Sequence, residues 1–176
     1  MIFFTSDLHL GHEGILKYCH RPFASVEEMN RTLIRNYNAV VTPDDTVYIL
    51  GDLSYKIPVS EANEMISRLN GHKHLIRGNH DKSYDESLFE EICDYRQIFE
   101  CGRHFTLMHY PMLEWAKMRN KSIQLHGHSH NEGMEYNLSC KAQGIRRYDV
   151  GVDANGYYPV SISTILNFID MFNHSL

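Results

Sequence analysis

Acidic, amide and histidine side chains that could bind a metal ion recur along this chain at the ends of apolar segments. Asp7 and His9 follow an apolar run that begins at Ile2, and residues two apart in an extended chain point to the same side. A carboxylate and an imidazole placed in this way could hold one cation between them. The same pair also occurs by chance in a strand followed by a solvated turn, so alone it predicts little.

Four further groups of the same kind follow along the chain. They are Gly51-Asp52, Gly78-Asn79-His80-Asp81, His109 and Gly127-His128-Ser129-His130. Each group comes just after a β-like apolar run, so one edge of a sheet could bring all of them together. The mixture of carboxylate, amide oxygen and imidazole suits a divalent ion such as manganese, iron or zinc. The candidate ligands are too many for one ion and about the right number for two ions that share a bridge.

Periodic apolar residues predict the elements that must position these groups in the first half of the chain. Strands are predicted at residues 2–6, 46–50 and 74–76. Ser25 and Glu28 form a capping box, and the apolar residues behind it recur at spacings of three and four. A second helix is predicted to begin at Ser60 and to end at Asn70-Gly71. This succession of strands and helices is typical of an α/β sheet whose functional loops lie at the carboxyl ends of its strands.

The second half of the chain predicts further strands and a closing helix. Strands near 94–100 and 104–109 are expected to pair around Gly102-Arg103, and others are expected at 123–126 and 147–152. Pro111 favours the first turn of a short helix that reaches about Met118. Residues 131–146 are polar and are expected to form a loop. The closing helix would present one apolar face of Ile162, Ile165, Leu166, Ile169 and Phe172.

Composition and cysteine content exclude several classes of function for this chain. The chain has 176 residues and a formal charge of −5, which argues against broad binding to long nucleic acid or to an anionic membrane. No apolar run is long enough to cross a bilayer. The four cysteines show no CxxC pair and no signal peptide is evident, so the predicted location is the cytoplasm. No linker or repeat is visible, and residues 1–176 are predicted to form a single domain.

Taken in order, the five groups resemble the signature of the calcineurin-like metallophosphoesterase family, and most of all its compact bacterial and phage members. The likeness covers nearly the whole chain. It implies an α/β fold in which two β-sheets are flanked by α-helices, an αββα sandwich. It also implies a dinuclear metal-dependent enzyme that hydrolyses a phosphate mono- or diester through in-line attack of a metal-bridging hydroxide. The expected substrate is a small phosphate ester or a nucleotide.

The resemblance also implies a role for each matching residue. Asp7, His9 and His130 would hold the first ion, Asn79, His109 and His128 would hold the second, and Asp52 would bridge the two. The expected ions are manganese, with iron, zinc, nickel or magnesium as alternatives. Asp52 and His80 would be the catalytic residues, and His80 would protonate the leaving alkoxide or contact the phosphoryl oxygens. Compact phosphodiesterases of the family often have cysteine at the position of His80, so no specific diester substrate follows.

Several polar residues near these groups allow more than one interpretation. Arg77 could bind the substrate phosphate or form a structural ion pair. His12 is predicted at the start of a following helix, where it would contact the substrate phosphate or support the metal ligands. Asp81 is predicted to cap a helix rather than to orient His80, and His126 to have a structural role. His72, His74, His104 and His174 are expected on the surface.

A non-catalytic metal-binding interaction scaffold of the same fold is the alternative function. Such scaffolds tend to lose metal ligands or the catalytic histidine. Every one of these positions is filled in this chain, so the enzyme is the preferred interpretation.

Overall fold

A computed structural model describes residues 1–171 of the chain. Its first sheet contains five strands in the order β4-β3-β2-β1-β9. These strands are β1 (Ile2–Thr5), β2 (Thr46–Ile49), β3 (His72–Ile76), β4 (Glu91–Cys93) and β9 (Val160–Ser161). All neighbours in this sheet are parallel except β9, which pairs antiparallel with β1. The carboxyl ends of β1, β2 and β3 therefore lie along one edge, as the sequence predicts.

The second sheet contains four strands in the order β5-β6-β7-β8. These strands are β5 (Arg96–Glu100), β6 (Arg103–Leu107), β7 (Ile123–His126) and β8 (Arg147–Asp149). The predicted hairpin is present, because β5 and β6 are antiparallel, whereas β6, β7 and β8 run parallel to one another. Beyond the strand ends, Ser6 forms a parallel bridge with Gly151, and the Val152 amide donates to the Ser6 carbonyl at 3.0 Å. The two sheets thus meet where β1 and β8 end.

Five α-helices accompany the sheets in the described part of the chain. They are α1 (Ile15–Tyr18), α2 (Val26–Val40), α3 (Val59–Ser67), α4 (Glu135–Ala142) and α5 (Ile162–Asp170). The Ser25 hydroxyl accepts a hydrogen bond from the Glu28 amide at 3.2 Å at the start of α2, which confirms the predicted cap. Helix α3 begins one residue before the predicted Ser60, behind Pro58.

Alternation along the central strands builds two apolar cores. Phe3, Val47 and Leu75 face one way and pack against residues of α2 and α3. Phe4 and Ile76 face the other way, towards Phe105, Leu125 and other residues of the second sheet, and α5 contributes to that core. Because β1 and β2 are buried on both faces, their sequences read as nearly continuous apolar runs, whereas β3 is apolar and buried only at Leu75 and Ile76. The predicted αββα architecture of two sheets flanked by helices is confirmed.

Two predictions for the second half of the chain are wrong. The expected loop at 131–146 contains α4. This helix has little apolar periodicity and is stabilised by tertiary contacts instead, since Asn137 exchanges hydrogen bonds with the Asp149 backbone at 2.7 and 3.2 Å. The helix expected from Pro111 is absent, because the Gln124 side chain satisfies the Met112 amide and the Tyr110 carbonyl instead.

Several elements of the fold are very short. Helix α1 has four residues and begins at Ile15, three residues after the predicted start at His12. Strands β4 and β9 have three and two residues, too few for a periodic pattern, and sequence reasoning missed them. Phe172 and His174 lie outside the described residues. Across residues 1–171, no helix combines the length and the apolar character needed to cross a membrane. All four cysteines are free thiols.

Candidate metal centre

The predicted ligands stand on sharp turns just beyond the strand ends. Five of them have positive φ angles, with 60° at Asp7, 50° at His9, 54° at Asp52, 68° at His128 and 47° at His130. This left-handed conformation costs a residue with a side chain roughly 1–2 kcal/mol, although aspartate and histidine adopt it more often than most. Backbone strain of this kind clusters at functional sites, where the surrounding structure maintains it.

Glycines let these turns approach one another closely. A Cβ atom on Gly127 would lie 2.0 Å from Ser6 Oγ and 2.4 Å from Asp7 Oδ2. A Cβ atom on Gly78 would lie 2.3 Å from Asp52 Oδ1. Both contacts are far inside van der Waals distance, so these two positions require glycine for the ligand-bearing turns to meet.

Asp7, His9 and His130 form the first group of ligands. One ligand atom from each lies within 4.8 Å of the others, and His130 Nε2 is 3.9 Å from Asp7 Oδ1. His9 Nε2 is buried without a hydrogen-bond partner. Since buried polar atoms are nearly always paired, this bare nitrogen fits a position that a cation would occupy.

Asp52 stands between the first group and the second. Its Oδ2 atom is 3.5 Å from His9 Nε2 and also 3.5 Å from His109 Nε2. Its Oδ1 atom accepts a hydrogen bond from the His80 amide at 2.9 Å. Only Oδ2 therefore faces both groups, at distances suited to a carboxylate oxygen that two ions share.

Asn79, His109 and His128 form the second group. His109 Nδ1 lies 2.7 Å from the Leu50 carbonyl, so in the neutral ring Nδ1 carries the proton and Nε2 presents a lone pair. That lone pair faces Asn79 Oδ1 at 3.1 Å, and a cation between these two acceptors would satisfy both. The His128 ring is 5.0 Å from that of His109. Asn79 and His128 are exposed, so the centre opens to solvent on this side.

Burial sets the protonation of the metal-free ligands. Burial raises the pKa of Asp7 to about 8 and lowers the pKa of His9 to about 4. Burial also opposes ionisation of Asp52, but the imidazoles of His9 and His109 beside its carboxylate hold its pKa at about 2. At His130 burial is likewise outweighed, because the hydrogen bond to Asp153 raises the pKa to about 10. A bound cation would favour ionised Asp7 and neutral His130.

His80 lies at the mouth of the centre, and its ring packs against that of Tyr55 at 4.2 Å. Its ring centroid is 5.5 Å from that of His9. The predicted helix cap at Asp81 is wrong, because no helix follows it directly. Its carboxylate instead accepts hydrogen bonds from the amides of Asp52, Leu53 and Gly78 at 2.7–2.9 Å. Asp81 therefore joins the turn after β3 to the turn after β2.

The three remaining predicted residues lie around the centre in different ways. His12 is buried, and its Nδ1 is 3.3 Å from His9 Nδ1. Helix α1 begins three residues after it, at Ile15, so His12 does not stand at a helix start that could face a phosphate. Support of His9 is therefore the favoured role. Arg77 Nη1 is on the surface, 3.2 Å from Asp94, which favours the structural ion pair over a contact with substrate. His126 is fully buried in β7 and belongs to none of the ligand groups.

Sequence reasoning gave no role in the centre to Arg21, Tyr55 or Asp153. Asp153 Oδ2 is 2.9 Å from His130 Nδ1, and Arg21 holds both oxygens of Asp153. These residues make contacts between distant parts of the chain, and no local spacing signals such contacts. Tyr55 follows the Gly51-Asp52 group by only three residues, but tyrosine at a strand end usually packs.

The family model for calcineurin-like phosphoesterases matches residues 1–131, a range that contains all seven predicted ligands. The chain belongs to this family. It is a metal-dependent phosphoesterase, and the clustered Asp7, His9, Asp52, His109 and His130 are candidate metal-binding residues.

The chain is similar to several proteins over most of its own length and most of theirs. An uncharacterised protein of Methanocaldococcus jannaschii is 40% identical over 172 residues, which cover 96% of this chain and 91% of the relative. The gene 66 protein of Mycobacterium phage L5 is 31% identical, over 87% and 86% of the two chains. A solved structure of a protein of unknown function from Aquifex aeolicus has a TM-score of 0.75 and 29% identity, covering 96% of this chain and 99% of that one.

Proposed function

We propose that this phosphoesterase uses two divalent ions to hydrolyse a phosphate mono- or diester. One ion would be held by Asp7, His9 and His130, the other by Asn79, His109 and His128, and Asp52 would bind both. The observation that carries the proposal is the position of Asp52 Oδ2, 3.5 Å from the Nε2 atoms of both His9 and His109. A single ion would leave one of these groups of ligands without a cation.

The donor set is compatible with manganese as the expected ion. Its carboxylate and amide oxygens suit manganese, its imidazoles suit iron, zinc or nickel as alternatives, and magnesium is a further alternative. When bound, two such ions would lower the pKa of a water molecule between them and neutralise charge on the phosphoryl oxygens.

The protein's own residues would supply a proton to the leaving group and leave the centre open to the substrate. His80 lies beside the centre, with its ring centroid 5.5 Å from that of His9, where its ring could donate a proton to the leaving alkoxide. The exposed Asn79 and His128 leave an open approach, which suits a small phosphate ester or a nucleotide. The charge of −5 is unfavourable for long nucleic acid. A core to which both sheets contribute supports a single domain. The four free cysteines are compatible with the reducing cytoplasm as the location.

The test is hydrolysis of p-nitrophenyl phosphate and bis(p-nitrophenyl) phosphate by the purified chain with added Mn²⁺. Asp52→Asn keeps the shape of the side chain but removes its charge, so we expect activity to fall by about a hundredfold or more. Asp170→Asn, which alters an ion pair with Arg103 away from the ligands, is the control and should retain activity. Activity that survives Asp52→Asn and His80→Ala unchanged would contradict the proposed site. An intact fold without bound metal or activity would favour the scaffold.

A further inference from the structure

Arg21 and Asp153 form a buried ion pair directly behind the metal centre. Their side chains are 0% and 3% exposed. Arg21 Nε lies 2.8 Å from Asp153 Oδ1 and Arg21 Nη2 lies 2.9 Å from Asp153 Oδ2, a two-bond contact between a fork and a carboxylate. The two residues are separated by 132 positions in the sequence, and Asp153 lies beyond the residues that the family model matches.

Arg21 also binds the backbone of the first ligand-bearing turn. Its Nη2 donates to the Asp7 carbonyl at 2.6 Å and its Nη1 donates to the Leu8 carbonyl at 2.9 Å. A contact from Nη1 to the Met29 sulfur at 3.4 Å uses the last donor, so all five N–H groups of the guanidinium have a partner. This arrangement fixes the backbone at Asp7, whose φ angle is 60°.

Asp153 holds the other end of the same ligand group. Its Oδ2 atom lies 2.9 Å from His130 Nδ1, which leaves His130 Nε2 facing Asp7 Oδ1 at 3.9 Å. The Asp153 carbonyl also accepts a hydrogen bond from the Gly133 amide at 3.1 Å, three residues after His130. One side chain therefore sets the ring orientation of His130 and one backbone contact holds the loop that carries it.

A third cation site at this place is disfavoured. Cys19, His130 and Asp153 offer ligand atoms within 4.8 Å of one another. Both carboxylate oxygens of Asp153 are already bound to the Arg21 guanidinium, and a cation there would face that positive charge at close range. The cluster is better suited to orient His130 than to bind an ion of its own.

Stability alone is a poor explanation for the pair. Burying two charges carries a large desolvation penalty, and apolar residues of similar volume often stabilise a protein as well or better. A buried pair that contacts two ligands from different sheets has a second use, because histidine ligands depend on an outer carboxylate to fix their tautomer and orientation.

We propose that Arg21 and Asp153 are a positioning pair, which holds Asp7 and His130 together as ligands of one ion. This inference rests on the two-ion centre proposed above. The pair joins the turn after β1 to the turn after β7, so it would preset the distance between these two ligands before the ion arrives. It would act through Asp7 and His130 and would not touch the substrate.

Titration of the metal-free protein with Mn²⁺ in a calorimeter tests this role. We expect Asp153→Asn to weaken the binding of one ion by 10- to 100-fold, with kcat recovering at saturating Mn²⁺. Arg21→Lys keeps the charge but loses the fork, and it should weaken the same ion. Asp170→Asn, in the half-buried Arg103 pair away from the ligands, is the matched charge control. Ile165→Ala in the core between the sheets controls for lost stability, and both controls should bind Mn²⁺ like the wild type.

Circular dichroism and thermal melting of each metal-free variant separate positioning from folding. A folded Asp153→Asn protein with wild-type Mn²⁺ affinity would overturn the role of the pair while leaving the two-ion proposal intact. No Mn²⁺ binding by the wild type would overturn both. If one variant fails to fold, the other decides, and unfolding of both would show that the pair serves the fold alone.

Discussion

At the scale of single residues, His9 and His109 share one arrangement. Each has an Nδ1 atom held from behind, by His12 at 3.3 Å and by the Leu50 carbonyl at 2.7 Å. Each directs its Nε2 atom to the same oxygen of Asp52. An imidazole whose second nitrogen is engaged has a defined ring orientation, and for His109 the carbonyl also defines the tautomer.

The proposed role of His80 as proton donor predicts a dependence of the rate on the leaving group. His80→Ala should lower kcat by about 10²–10⁴ for an alkyl phosphate ester, because an alkoxide needs a proton as it departs. For p-nitrophenyl esters the loss should be much smaller, because p-nitrophenolate is a stable anion. Steady-state kinetics on both ester classes measures this, with the surface variant His72→Ala as control. Equal losses on both classes would exclude proton donation.

Protonation of the ligands predicts how metal affinity depends on pH. The metal-free protein holds protons on Asp7, with a pKa of about 8, and on His130, with a pKa of about 10. Mn²⁺ must displace them, so affinity should rise with pH from 6 to 8, by up to about tenfold per pH unit for each proton released. Calorimetry in buffers of different ionisation enthalpy counts these protons. A binding heat independent of the buffer would contradict the predicted release.

At the scale of elements, the ligands depend on turns that follow parallel strands. Gly127 illustrates the constraint, because the turn after β7 must reach Asp7 on the other sheet: the His128 amide donates to Asp7 Oδ2 at 3.0 Å. Polar residues after apolar strands predict which turns are functional. They do not predict how closely the backbones approach.

Gly127→Ala should damage the centre through that close approach. The new Cβ atom would overlap Ser6 Oγ and Asp7 Oδ2, so we expect a loss of about 1–3 kcal/mol in the free energy of unfolding and weaker Mn²⁺ binding. Gly144→Ala is the control, since its φ is 73° but nothing lies within 4 Å; it should cost about 1 kcal/mol and leave Mn²⁺ affinity unchanged. Urea unfolding and calorimetry measure both quantities. Similar Mn²⁺ affinity in the two variants would refute the steric argument.

At the scale of the whole molecule, the centre lies where the two sheets meet. Asp7, His9, Asp52 and Asn79 follow strands of the first sheet, whereas His109, His128 and His130 follow strands of the second. The Ser6–Gly151 bridge joins the sheets beside these residues. A metal ion bound to both sets would therefore hold the sheets together at this edge.

Bound metal should accordingly raise the melting temperature. Mn²⁺ at 100 times its Kd stabilises a folded protein by about 2.7 kcal/mol per site, which for a chain of this size corresponds to roughly 5–11 °C. Scanning calorimetry with Mn²⁺ and with EDTA measures the shift, and Asp52→Asn should show a smaller one. A melting temperature that does not respond to Mn²⁺ would contradict a centre shared by the two sheets.

Local patterns were sufficient for much of the fold. Strands β1 and β2 were predicted because burial on both faces gives continuous apolar runs, and α2 because Ser25 caps an amphipathic segment. Helix α4 was not predictable in this way, because Asn137 stabilises it through the backbone of β8 rather than through an apolar stripe. Asp81 was misread for a similar reason, since its partners lie up to 29 residues away.

The sequence by itself determined which side chains could bind metal, because a polar residue beside glycine after a buried strand has few structural uses. It also determined the order of the five groups and hence the family. Only the tertiary structure decided how the groups meet: Asp52 Oδ2 lies equally far from His9 and His109, and Arg21 reaches Asp153 across 132 residues. These distances depend on the packing of two sheets, and sequence spacing carries no information on the gap between them.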